Sequence, residues 1–551
     1  MIDLPRPPGF RGEFLTDLRA RAAYSEGAGP YRIVPRAVGI PADREDVQTL
    51  VRFAASAGIP LTPRGAGSGM PGGNLGPGVV VDLRRLDRPC RVSLQATANV
   101  GAAVPWKVLD DVAGHFGFRL PPDPSSGAFC TLGGMVATNA AGARSLRAGS
   151  IRPWVRGVEF VSADGEAGWL PRADAARTVR APTPRVLVER LRAEDRFDPV
   201  AAEIRGAAGL IQQRFPHTRK NSSGYALDRF LVSGDPVDLV IGSEGTLGIV
   251  TRIELALERR PAAAGTVLVG IAELDALGAL VPLVLEAGPS AVELLDRSFL
   301  DFAASRITPD LEPVDAALLV EIEDGSDEAV GARLDRLCRA LAPDAAFVHR
   351  GVTPAEREHL WALRHAASPL LASLPDGRRS LQVIEDGCVP VAKLSQYVRG
   401  VRDAARRAGV DIIAFGHAGD GHVHVNALVD AGDPTVPVRL AGLLTEVTEL
   451  VAALGGTPSG EHGDGRLRAH ALERIYGPDL VDLFRQVKAA FDPTGLFNPG
   501  VIVDPRSPPV AHLKVGPDAA AIPGDVAEAL RRIERSGAWG QSPLAQMEDQ
   551  P

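Results

Sequence analysis

Three of the chain's 11 histidines, His417, His422 and His424, fall within the stretch HAGDGHVH, and a second stretch, SGEHGDG (459–465), sets Glu461 and His462 beside another Gly-Asp-Gly. Neither contains an obvious nucleophile, so the chemistry on offer is that of metal ligands and proton carriers. His422 and His424 are two apart and, on a strand, project to the same face. His417 precedes them across a Gly-Asp-Gly turn that can fold back. Imidazoles gathered in this way, with Glu461 adding an oxygen, form a divalent-metal site whose three protein ligands leave room for water or substrate. The plain alternative is histidines hydrogen-bonded to neighbouring carboxylates. Glu461 and His462 are adjacent and cannot both face one metal on an extended strand, so one ligates while the other has a different task, such as proton transfer.

These stretches need elements to hold them and a second ligand to act on. PRGAGSGMPGG (63–73) offers backbone N–H groups unobstructed by side chains, a nest for phosphate. Its Gly67–Gly72 string satisfies GxGxxG, but a Rossmann turn requires a helix directly afterwards. Here Gly76, Pro77 and Gly78 lead into the strand-like VVVDL. The Rossmann reading is rejected and phosphate binding is kept, against the alternative of an ordinary surface loop. Two further small-residue segments, 120–150 and 242–250, lie in the same half of the chain. Together the three imply backbone lining an extended ligand.

The periodicity predicts a helix over 43–57, with Val47, Leu50, Val51 and Ala54 on one face and Gly58 as its cap. VDLVIGSEGTLGIVTRIELAL reads as two strands around a glycine turn, and RRPAAAG (259–265) as a boundary. In the second half TVLVGIAEL, AALLVEIED and AAFVHRGV read as strands; DEAVGARLDRLCRALA, AEREHLWALRHAA and 478–491 read as helices. Residues 276–295 read as a buried helix with a break. The tail beyond residue 503 is expected to be loosely ordered around one amphipathic helix near DVAEALRRIERSG.

A length of 551 residues implies two or three domains, and 45 % apolar residues allow sizeable cores. A net charge of −8 without a basic arm argues against a nucleic-acid partner. The 4 cysteines are scattered without a CxxC, so neither a zinc ribbon nor a cysteine-held iron–sulfur cluster is encoded. With no transmembrane segment and no signal-peptide core, a soluble cytoplasmic protein is expected, with contact at the periphery of the inner membrane left open.

The three glycine segments, in this order, resemble the flavin domain of the FAD-linked oxidases of the vanillyl-alcohol oxidase/p-cresol methylhydroxylase (PCMH) type. The resemblance implies an α+β fold: a PCMH-type FAD-binding domain of two subdomains, and an α/β cap built on a ferredoxin-like antiparallel sheet. The domains would be 30–258 and 259–503, flanked by an N-terminal segment (1–29) and a tail (504–551). It implies FAD contacts from Arg64, Gly65, Gly67, Ser68 and Gly69 around the pyrophosphate; from Pro122, Ser125, Gly133, Gly134, Thr138, Asn139 and Gly142 along the ribityl chain and ring; and from Glu244, Gly245 and Ile249 on the adenine side. Asn498, in LFNPG, would approach the flavin. The first loop holds no His or Cys, so the FAD is expected to be non-covalent.

The second half resembles the cap of the D-2-hydroxyacid dehydrogenases, which act on D-lactate, glycolate or D-2-hydroxyglutarate. Their pattern, similar to GHxGDGNxHxN followed by EHG, implies His417, His424 and Glu461 as ligands of a divalent metal (zinc or manganese), Asn426 near the substrate, and His462, neutral near pH 7, as the base. His422 stands where that family usually has Asn; the preferred expectation gives it neither ligation nor substrate contact. Arg364 and Ser368, an i, i+4 pair in LWALRHAAS, would meet the substrate carboxylate. The Lys that hydroxyglutarate enzymes carry is replaced by the apolar stretch LQVI, which puts a second substrate carboxylate in doubt.

The implied reaction is metal-assisted oxidation of a 2-hydroxyacid to the 2-ketoacid, with hydride passing to flavin N5. An external electron acceptor would follow: a quinone, an electron-transfer flavoprotein or an iron–sulfur subunit. A homodimer is one possible assembly. The rival readings are a metal-dependent hydrolase, a non-redox flavoprotein of the same fold, and a binding module that retains FAD structurally.

Overall fold

The computed structural model describes residues 4–173, 196–304 and 313–548. Three large sheets organise it, beside a two-stranded pairing of Glu258–Arg259 with Phe118–Arg119. The first is four-stranded, in the order Glu13–Leu15, Ala37–Ile40, Val79–Asp82, Leu61–Arg64. Its last three strands are parallel. The second is five-stranded and antiparallel: Cys90–Val92, Thr97–Gly101, Ile249–Ala256, Val155–Val161, Ala167–Pro171. The third runs antiparallel through Phe347–Gly351, Ala263–Ile271, Ala316–Asp324, Ala291–Asp296, Asp411–His417, His422–Asp430 and Arg378–Leu381, with Gly387–Cys388 pairing on His422 and Val423.

The helix at Arg44–Ala57 forms where the periodicity places it. Asp43 accepts from the Asp46 amide, Gly58 closes it in the left-handed region, and Val47, Leu50, Val51 and Ala54 are buried against Leu61, Val79 and Val81. The Gly-rich loop leads into the Val79–Asp82 strand with no helix between, as the sequence requires.

Strand alternation decides what the third sheet presents. Register pairs Phe415 with His424 and His417 with His422, so Ile413, Phe415, His417, His422, His424 and Asn426 share one face. Leu295 pairs with Phe415 and brings Glu293 to that face as well. The intervening residues Ala414, Val423, Val425 and Ala427 point the other way, into the largest core with Tyr397, Val401 and Val447. Each fully buried aliphatic there contributes roughly 1.5–3 kcal/mol, which makes a register slip costly and fixes the polar face.

Four expectations are corrected. Residues 276–295 are not one broken helix: a helix at Leu277–Glu286 gives way at Gly288 to the strand Ala291–Asp296. Val237–Val240 is a helical turn rather than a strand, a confusion that short apolar runs invite. The helix Pro354–His365 does not continue regularly through Ser368, because Pro369 has no N–H for the carbonyl of His365. The tail is packed up to residue 548: the amides of Arg32 and Lys514 bond to His512 and Pro30, and the helix Gly524–Ser536 buries Val526, Ala529, Leu530 and Ile533 against Tyr24 and Val38. The last three residues lie outside the described ones.

Candidate active site

The polar face of the third sheet gathers three donors. His417 Nε2 stands 3.2 Å from Glu461 Oε1 and 3.3 Å from His424 Nε2, and His424 Nε2 stands 3.3 Å from the same Glu461 oxygen. Ligands held about 2.1 Å from a tetrahedral centre are themselves about 3.3–3.4 Å apart, so this triangle has the dimensions of one face of a coordination shell. Each ring is oriented from behind. His417 Nδ1 donates to Glu293 Oε1 at 2.6 Å, and His424 Nδ1 to the Glu385 carbonyl at 3.2 Å. Both leave an Nε2 lone pair for the centre of the triangle, the arrangement usual around bound zinc. The donor chemistry fits a divalent cation.

His422 is fully buried, and its Nε2 bonds to Asp386 Oδ1 at 2.8 Å. Burial pushes it down to about 3, so the ring is neutral. It also lies among the potential donors with His417, His424 and Glu461.

Glu461 and His462 sit in a bend rather than a strand. Asp386 Oδ2 accepts from the amide of His462 at 2.9 Å and from that of Glu461 at 3.3 Å. Both side chains therefore reach the same cavity, which the extended-strand expectation did not allow. His462 Nδ1 donates to Glu385 Oε2 at 2.7 Å, and its Nε2 lies 3.7 Å from Glu461 Oε1. Burial opposes its charge, but the Glu385 and Asp386 carboxylates outweigh burial and push His462 up to about 10. The expectation of an imidazole neutral near pH 7 is thus not met by the protein groups alone. A cation on the adjacent donors acts in the opposite sense, by repulsion.

Arg364 is buried, with its guanidinium 4.7 Å over the Phe415 ring and Nε on Glu293 Oε2 at 2.7 Å. Among the described residues its remaining nitrogens form no hydrogen bond, which leaves an edge suited to a carboxylate. Ser368 is exposed and does not share that buried face. Asn426 is buried on the strand of His424, accepting from Ser380 Oγ at 3.3 Å.

Glu461 and His462 line an open cleft. Its walls include Arg64, Gly65, Gly67, Ser68, Gly69, Ser125, Gly133, Gly134, Thr138, Glu244, Gly245 and Ile249. Pro122, Asn139, Gly142 and Asn498 are not among the residues that line it. Asn498 is fully buried and donates to the carbonyls of Gly73 and Glu244 at 2.7 and 2.9 Å, so it braces the loops instead of facing the cleft. The residues present fit an anionic dinucleotide. Arg64 is 2 % exposed, yet among the described residues its guanidinium donates only to the Tyr24 carbonyl, at 3.4 Å, and forms no hydrogen bond to a carboxylate; Asp82, on the neighbouring strand, offsets its burial only from a distance. A buried cation left this way is stabilised by a bound anion. Gly67, at φ 82°, keeps the wall open above it: a Cβ there would lie 2.4 Å from Arg64 Nη2.

Five residues around the donors escaped the sequence reading: Glu293, Lys220, Glu385, Asp386 and Arg468. Glu293 carried a signal, an acid set between the apolar pairs Ala291–Val292 and Leu294–Leu295. Lys220, in RKNSSGY, carried none.

The sequence matches the FAD binding domain over residues 35–170 and the C-terminal domain of FAD linked oxidases over residues 260–502. The chain belongs to the FAD-linked oxidases. D-2-hydroxyglutarate dehydrogenase of Escherichia coli (strain K12) is 29 % identical over 539 residues, covering 92 % of this chain and 52 % of that protein. D-lactate dehydrogenase of Archaeoglobus fulgidus is 29 % identical over 493 residues, covering 87 % of this chain and 95 % of the relative. Glycolate oxidase subunit GlcD of Bacillus subtilis (strain 168) is likewise 29 % identical over 493 residues, with 87 % and 92 % covered. The chain thus spans about half the length of the hydroxyglutarate relative and most of the other two. Among solved structures, 4-ethylphenol oxidase from Gulosibacter chungangensis superposes with a TM-score of 0.64 at 16 % identity, covering 89 % of this chain and 94 % of that one. Alkyldihydroxyacetonephosphate synthase reaches 0.58 at 16 % identity, with 88 % and 82 % covered. These likenesses establish the α+β, PCMH-type fold. Among the described residues, no helix is long and apolar enough to cross a membrane.

Proposed function

We propose that the protein is an FAD-dependent dehydrogenase that oxidises a D-2-hydroxyacid of the lactate, glycolate or 2-hydroxyglutarate type to the 2-ketoacid and passes the electrons to an external acceptor. The observation that carries this reading is the shared cleft: the glycine loops line it together with Glu461 and His462, which belong to the His/Glu donor clusters. The proposed division of labour assigns flavin to residues 30–258 and the substrate to residues 259–503.

When bound, FAD supplies a two-electron acceptor and the divalent cation polarises the substrate hydroxyl. The rest falls to the chain. Arg364 offers its free guanidinium edge to the carboxylate, and Glu293 holds that edge in place. Asn426, tethered by Ser380, stands one strand repeat from His424 and contacts the substrate beside the donor set. In its neutral form, which requires the repulsion of a bound cation to offset Glu385 and Asp386, His462 accepts the hydroxyl proton at Nε2, and Glu385 at Nδ1 stabilises the imidazolium that forms. His417, His424 and Glu461 hold the cation.

Anaerobic titration of the yellow holoprotein with paired D- and L-2-hydroxyacids tests the proposal. Bleaching of the flavin band by one or more D-acids is expected. Failure of every hydroxyacid to bleach it would refute the reading and favour a flavoprotein with a different substrate.

A further inference from the structure

Glu461 divides its two oxygens between two tasks. Oε1 faces His417 and His424, whereas Oε2 is held 2.7 Å from the ammonium of Lys220. Lys220 lies in the stretch between the two matched domains, and its side chain is 4 % exposed. An ammonium has three N–H donors and no acceptor. Here it meets three acceptors: Glu461 Oε2, the Gly142 carbonyl at 3.3 Å, and Asp420 Oδ2 at 3.6 Å. Asp420 is itself fixed by Ser145 Oγ at 2.9 Å. With two of its protons hydrogen-bonded and the Asp420 carboxylate paired with it at 3.6 Å, this lysine is a fixed charge at the junction of the flavin-side loop and the donor set.

Resting on the cation site proposed above, we infer that Lys220 is a positioning residue that keeps Glu461 a one-oxygen donor and so reserves coordination positions for the substrate. A carboxylate free of such a tether can bind through both oxygens and occupy a second position. A chelating hydroxyacid needs two positions beside the three protein donors. Lys220 withholds Oε2 and keeps them available. It also ties the carboxylate to the Gly142 loop, so the cation side and the flavin side of the cleft share one strut.

A purely structural lysine and a positioning lysine make opposite predictions for Lys220→Met. Loss of a neighbouring positive charge, with Glu461 released, makes cation binding equal or tighter and reduces the open positions. Loss of mere support loosens the donor set and weakens cation binding. The test loads holoprotein with Mn²⁺ and reads affinity together with the number of fast-exchanging waters by water-proton relaxation, alongside KM and kcat for a bleaching hydroxyacid. The expected result is Mn²⁺ affinity at or above wild type, fewer exchanging waters, and a KM raised roughly tenfold or more, the scale of outer-shell effects. Lys220→Arg, which can still donate to Oε2, is expected to recover the wild-type water number.

An unchanged water number with weaker Mn²⁺ binding in Lys220→Met overturns the inference and leaves the cation site standing. Absence of Mn²⁺ binding by the wild-type protein overturns both.

Discussion

Glu293 is the place to perturb first, because two functions meet on one carboxylate. It is fully buried, with Oε1 accepting from His417 Nδ1 at 2.6 Å and Oε2 from Arg364 Nε at 2.7 Å. Burial alone would raise its pKa, but His417 and Arg364 bring it down to about 2, so it is ionised at any working pH. Glu293→Gln keeps the shape and removes the charge. An amide has one acceptor oxygen, and its NH₂ would then face a second donor, so one of the two contacts becomes donor against donor. If the amide turns its oxygen to His417, Arg364 loses its partner; if it turns to Arg364, the ring that orients a cation ligand is released. Outer-shell changes of this kind cost roughly 10- to 100-fold in metal affinity or activity, or about 1.4–2.8 kcal/mol. The assay is competition for Mn²⁺ against a chromophoric chelator, paired with stopped-flow bleaching of the flavin over a range of hydroxyacid concentrations. At least one of cation affinity and half-saturating substrate is expected to worsen by that factor. Both remaining within about twofold of wild type would refute the bridging role, since the charge removed interacts with nothing else as closely.

Three further outcomes are expected. His462→Ala should keep its flavin and lose roughly 10²- to 10⁴-fold in the rate of bleaching, the usual worth of a placed base; an undiminished rate removes His462 from proton transfer. Arg64→Leu should weaken FAD binding by roughly 10- to 100-fold while leaving the melting temperature of the apoprotein unchanged or higher, because the cost of burying the cation outweighs the attraction of Asp82 and no carboxylate hydrogen-bonds it; a lower apoprotein melting temperature would show that Arg64 serves the fold. Asp238 is opposed by burial, yet the hydrogen bonds of Arg172 and the charge of Arg152 hold it down at about 2. Its folded pKa lies below the ordinary value, so it contributes on the order of 2 kcal/mol above pH ~4, a contribution lost as pH falls towards 2. Denaturant midpoints of wild type and Asp238→Asn should therefore converge between pH 5 and pH 2, and a constant gap would contradict the assignment.

What could be read from the sequence follows the range of the forces involved. The helix at 44–57 was legible because its signals are local: a capping Asp43, a 3.6-residue apolar stripe and Gly58 beyond its end. The strand at 291–296 was not, since an apolar run reads alike on a helix or in a fully buried strand, and only pairing with residues 316–321 on one side and 415–416 on the other decides it. The packed tail has the same cause. Its helix was visible, but its partners Tyr24 and Val38 lie some five hundred residues away in the chain.

The candidate site divides along the same line. His417, His424, Glu461 and His462 announced themselves as rare residue types at short spacing, and the structure brings them into one cluster. The residues that orient them, Glu293, Glu385, Asp386 and Lys220, come from separate segments, and their meaning exists only in the folded chain. That asymmetry is physical. A donor atom must be of a particular chemical type, and type is written in the sequence. An orienting group need only present a charge at the right distance, and any Asp, Glu or Lys the fold delivers will serve. The same reasoning bears on Ser368: the i, i+4 spacing with Arg364 assumed an unbroken helix, and the Pro369 beside it, equally legible, weighed more than the spacing.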